Sequence, residues 1–156
     1  MTTRAGRDCW GLVPAEKGLS DEIRLDKTRV AAGANIEGTL TVTNRDRHPV
    51  ELLYHGCRPS YGADLTNGSV GSSTVLILPC DPHPLVMEPG TNRFPVSVFT
   101  RYNECMPRVV PLQGRRRCVG PDGTTPPPLP PGKYWVVLVG LTLALPPSLP
   151  VLVTLT

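Results

Sequence analysis

The sequence predicts an all-β domain, an antiparallel sandwich or barrel of about eight strands interrupted by one long proline-rich loop. Three observations carry this. The 156 residues suit one domain built on one hydrophobic core. Its 19 prolines and 15 glycines, about a fifth of the chain, leave no room for long helices. Short alternating or β-branched segments recur with turn signals about every eight to twelve residues, the pattern of a sandwich or barrel and not of a βαβ fold. At 40% hydrophobic and 19% charged residues, the chain is also too apolar and too weakly charged to stay disordered.

Residues 1–18 lack periodicity and read as a poorly ordered lead-in, with the domain over 19–156. Residues 22–26 alternate polar and apolar, and Val30, Ala31, Ala32 and Gly33 supply a turn. In the run 36–44, Ile36, Leu40 and Val42 point one way with Gly38 between them, while Thr39, Thr41 and Thr43 point the other. Such alternation marks a sheet with one wet face. A polar turn over 44–49 leads to further strands at 50–54, 61–66, 74–78, 93–100, 133–143 and 150–155. Two Pro-Gly turns, Pro89-Gly90 and Pro131-Gly132, each precede a strand, since Pro presets φ and Gly tolerates the positive φ of a type II turn. The uncharged stretch 135–156 is long enough for a membrane span. Pro146, Pro147 and Pro150 divide it, so it reads as two core strands joined by a Pro-rich turn.

The exception to the strand rhythm is 106–131, where prolines and the run Arg115, Arg116 and Arg117 replace any alternation. A loop of this length in a compact domain is functional or mobile. Its three consecutive arginines equal the whole net charge of +3 and make it the candidate partner-binding surface. Aromatic residues are only 5% of the chain and are not interleaved with the arginines, so a nucleic-acid partner is not expected. The run Pro126-Pro127-Pro128-Leu129-Pro130-Pro131 suits polyproline II, either as a ligand for an SH3 or WW groove or as a stiff connector.

His48, His55 and His83 lie at turns with no catalytic motif around them, and no metalloprotease, nucleophile-elbow, phosphate-loop or dinucleotide motif is present. The expectation is therefore a non-enzyme without catalytic residues, metal or cofactor. Five cysteines, Cys9, Cys57, Cys80, Cys105 and Cys118, are many for a reduced compartment. Cys57 with Cys80 and Cys105 with Cys118 are the expected disulfides, the second pair flanking the arginine loop, although four cysteines allow three connectivities. His55, Cys57, Cys80 and His83 remain an alternative zinc set. Cysteine usage favours an extracytoplasmic location, while the first residues lack the apolar core of a signal peptide.

Residues 21–28, 38–44, 56–59, 88–93 and 129–134 resemble a group of uncharacterised actinobacterial proteins with an immunoglobulin-like sandwich. More loosely, a strand ending in Asn, a Pro-Gly turn and a Pro-Gly-x-Tyr strand are similar to the BsuPI-type proteinase-inhibitor domain and to bacterial adhesion-related sandwich domains. The resemblance implies an immunoglobulin-like antiparallel β-sandwich of seven to eight strands and brings no catalytic residues with it. Its five cysteines depart from the inhibitor pattern. The resulting expectation is a binding or structural module of the cell envelope or secreted fraction, with an unknown protein partner. A proteinase inhibitor presenting the 106–131 loop is the alternative.

Overall fold

The computed structural model describes residues 18–52, 60–77, 85–112, 115–140 and 148–156. Among these there is no helix, and ten strands form three open sheets. The open strand orders exclude a closed barrel.

The first sheet has the order β1-β3-β8, with β1 at Leu19–Leu25, β3 at Ile36–Asn44 and β8 at Gly90–Val98. Both pairings are antiparallel, running from Leu19↔Asn44 to Leu25↔Gly38 and from Ile36↔Val98 to Asn44↔Gly90. The alternation on β3 is as read from the sequence: Ile36, Leu40 and Val42 are buried. Gly38 has a steric reason that the pattern alone did not disclose. A Cβ there would lie 2.4 Å from the Arg24 carbonyl oxygen, so only glycine lets β1 approach β3 so closely. Gly90 opens β8 with φ +98°, the positive value expected after Pro89.

The second sheet has the order β2-β10-β9-β5-β6. Here β2 is Arg29–Val30, β5 Ser60–Thr66, β6 Gly71–Ile77, β9 Gly132–Gly140 and β10 Val151–Leu155. The apolar tail is thus an antiparallel pair, β9 with β10, as its prolines predicted. Strand β2 runs parallel to β10 and occupies part of the expected turn at 30–33, because Ala32 and Thr156 extend the ladder past Val30. Between β5 and β6, Asn67 Oδ1 accepts the Ser69 and Val70 amides at 2.9 Å each and closes the hairpin. A small third sheet pairs β4, Val50–Leu52, with β7, Leu85–Met87. Strand β7 was not expected, since the four residues between Pro84 and Pro89 are too few for a periodic signal.

One hydrophobic cluster joins the two larger sheets. Ile23, Leu40, Val96 and Val98 from the first meet Leu65, Tyr134, Val136 and Val153 from the second, with Met87 and Leu129 added from the third sheet and the long loop. Each such aliphatic burial stabilises the fold by about 1.5–3 kcal/mol. No helix among the described residues is long and apolar enough to cross a membrane. The lead-in, the Cys57 and Cys80 pair, and His55 and His83 lie outside the described residues.

Candidate binding groove

The segment from Thr100 to Pro131 connects β8 to β9, and its two arms are tied together from the base upward. Buried Thr100 donates its hydroxyl to the Ala34 carbonyl at 2.7 Å and accepts the Gly33 amide at 2.7 Å. Its carbonyl accepts the Leu129 amide, and the Pro127 carbonyl accepts the Tyr102 amide. Arg101 adds a second tie, donating to the carbonyls of Gly33 at 3.2 Å and Pro126 at 3.0 Å. Tyr134 donates its hydroxyl to the Pro130 carbonyl at 2.7 Å.

These bonds settle the role of the proline run within the structure. Three of its carbonyls, those of Pro126, Pro127 and Pro130, are committed to the chain's own donors, and Leu129 is buried. The run is a docked connector that walls the groove.

Above the base, Cys105 and Cys118 form the expected disulfide, with their Cα atoms 4.9 Å apart. Met106 donates its amide to Arg116 and accepts the Cys118 amide, so the backbone is paired beside the bridge. Beyond it, Val119 and Thr125 exchange two backbone hydrogen bonds around a Gly120–Gly123 turn. In that turn Thr124 donates its amide and hydroxyl to Asp122, holding that exposed carboxyl below the usual carboxylate range.

The three arginines have three different environments. Arg117, half-buried, donates from Nη1 to the Pro107 carbonyl at 2.7 Å and the Val110 carbonyl at 2.8 Å. It is a strut of the loop. The Arg116 guanidinium lies over the Tyr102 ring, 4.1 Å from the centroid. Arg115 Nη1 lies 3.5 Å from Glu104 Oε2 in an exposed pair. A groove of about 460 Å³ runs between the arms, lined by the three arginines, Tyr102, Leu112, Pro127, Pro128 and Pro130. It offers cations on one side and an apolar proline wall on the other.

The sequence singled out the three arginines and the proline run, but not Tyr102 or Glu104, which the structure sets beside Arg116 and Arg115. A usable signal was present: Tyr102 lies three residues before Cys105 and Arg116 two before Cys118, so the bridge itself draws them together. Among the described residues, no group of three or more His, Cys, Asp or Glu side chains could hold a metal ion.

No family model matches the chain, and no curated protein matches it. Several solved structures show distant likeness. An alkylpurine DNA glycosylase from Pseudomonas fluorescens, bound to DNA containing an abasic site analog, gives a TM-score of 0.47 at 11% identity over 88% of this chain. A β-glucosidase from Erythrobacter marinus gives 0.49 at 9% identity, also over 88%. The chain spans only 30% and 15% of those two chains respectively.

Proposed function

We propose that the chain is an immunoglobulin-like β-sandwich acting as a non-catalytic binding module through the arginine and proline groove. The sheet orders support the fold: β1-β3-β8 corresponds to strands A, B and E, and β10-β9-β5-β6 to G, F, C and C′. The Tyr134 hydroxyl bond to Pro130, four residues upstream at the start of β9, has the form of the tyrosine corner of such sandwiches. No cysteine occupies β3 or β9, the strands whose counterparts carry the inter-sheet disulfide of antibody domains.

The observation that carries the functional reading is the stack of Arg116 on Tyr102 beside an exposed Arg115. Arg116 is held over the Tyr102 ring and Arg115 stands exposed beside it, at the open edge of an apolar wall. The Cys105–Cys118 bridge supports residence in an oxidising compartment. The test is selection from a random peptide display library on the full chain, with the Arg115→Gln/Arg116→Gln variant as counter-selection. Enriched peptides that bind the native chain and not the variant support the reading; no arginine-dependent enrichment overturns it.

A second reading, proteinase inhibitor, has one observation in its favour. Val109 is 91% exposed beside exposed Arg108, on a turn held from behind by Arg117. A trypsin-like cleft selects such an arginine.

A further inference from the structure

We propose that the groove takes an extended acidic peptide, its carboxylates pairing with Arg115 and Arg116 and its apolar atoms lying along Leu112 and the prolines. This rests on the reading of the groove as a binding surface. Glu104 argues for the carboxylate. It lies 3.5 Å from Arg115, outside the lining residues, with both side chains well exposed at 75% and 62%. Arg115 therefore already meets a carboxylate, and an exposed pair worth little is readily exchanged for an incoming one. Planar guanidinium groups suit this exchange because they meet a carboxylate through two parallel hydrogen bonds.

The other walls narrow the ligand class. Tyr102 is the aromatic ring among the described lining residues, and Arg116 covers its face at 4.1 Å. A base or sugar that binds by stacking must displace that arginine. A lone anion would leave Leu112, Pro127, Pro128 and Pro130 unused, whereas about 460 Å³ lies in the size range of ligand-binding clefts. The two arms are tied by a disulfide and backbone pairing, so little loop entropy is lost on binding. Glu104 then acts as an internal competitor, and its removal strengthens binding.

The experiment is fluorescence anisotropy of the full chain with a labelled octapeptide of alternating Glu and Pro, beside its Gln-Pro and phosphoserine-Pro counterparts. The Glu-Pro peptide is expected to bind at about 0.05 M salt and to weaken by about 0.5 M. The Gln-Pro peptide and the Arg115→Gln/Arg116→Gln variant are each expected to lose about tenfold or more in affinity. Glu104→Gln is expected to tighten binding about two- to fivefold, and Tyr102→Phe, which keeps the stacked ring, to leave it unchanged. Circular dichroism confirms that each variant is folded. Equal binding of the Glu and Gln peptides, no gain from Glu104→Gln, or preference for phosphoserine overturns the acidic-peptide inference while arginine dependence preserves the groove. Loss of arginine dependence for every peptide overturns both.

Discussion

Thr100 and Gly33 are joined at 2.7 Å, the amide donating to the threonine hydroxyl, and the same hydroxyl donates to Ala34 at 2.7 Å. One buried side chain thus ties the turn between β2 and β3 to the root of the long loop. Thr100→Val keeps the shape and leaves one donor and one acceptor without their partner. The expected cost is about 1–3 kcal/mol, read from chemical denaturation. Thr100→Ser, which retains the hydroxyl, is expected to cost less. Equal losses from both substitutions would show that the methyl group, not the hydroxyl, matters.

The arginines are expected to separate by role. Arg115→Gln/Arg116→Gln removes exposed charge and is expected to change stability by under about 1 kcal/mol. Arg117→Gln releases the carbonyls of Pro107 and Val110 and is expected to cost about 1–2 kcal/mol. Replacing all three together is therefore expected to lower the melting temperature through Arg117. Thermal melts of the double, single and triple variants decide this.

The bridge closes a loop with a sequence separation of 13, for which chain entropy predicts about 3 kcal/mol. Cys105→Ser/Cys118→Ser is expected to lose up to that amount. Peptide mapping without reductant is expected to recover the two cysteines in one linked fragment, and separate fragments carrying free thiols would refute the bridge.

The strands legible in the sequence were those with a side-chain rhythm. Ile36, Leu40 and Val42 announce β3, and the uncharged β-branched tail announces β9 and β10. What escaped has no local rhythm. Strand β2 exists because Arg29 and Val30 find a parallel neighbour in β10, more than a hundred residues away in sequence. Strand β6 begins three residues before the expected 74, at Gly71, where a Cβ would lie 2.4 Å from the Leu65 carbonyl oxygen. Polar Gly71, Ser72 and Ser73 read as loop, yet β5 gives them a partner. The groove is similar: three adjacent arginines look alike in sequence, and only the carbonyls and ring that each one meets distinguish a strut from an exposed charge.

Asp21 gives the fold a pH dependence. Its carboxyl is half-buried on β1, Oδ2 has no hydrogen-bond partner, and burial pushes its pKa above the ordinary aspartate value. A raised folded-state pKa means that the protonated form favours folding. That contribution is present below the unfolded value of about 3.8 and is lost as pH rises through the higher folded value. At neutral pH the charge is a liability. Asp21→Asn is expected to raise the melting temperature at pH 7 and to lose that advantage toward about pH 3.5. A constant difference across the range would exclude ionisation as the cause.

Trypsin distinguishes the two functional readings. Pro107, Arg108, Val109 and Val110 form a turn closed by the Val110 amide on the Pro107 carbonyl at 3.1 Å, and the same carbonyl accepts Arg117. A protease cleft takes an extended segment, and extending this one breaks both bonds while the Cys105–Cys118 bridge resists the movement. The exposed Arg108–Val109 bond is therefore expected to be cut slowly in the oxidised chain, with no inhibition of trypsin at micromolar protein. Reduction frees the turn, and cleavage at Arg108 is expected to accelerate by about tenfold or more, since cleavage follows the population of the open form. Inhibition at nanomolar protein, abolished by Arg108→Ala, would instead make the turn an inhibitory loop and exchange the first functional reading for the second.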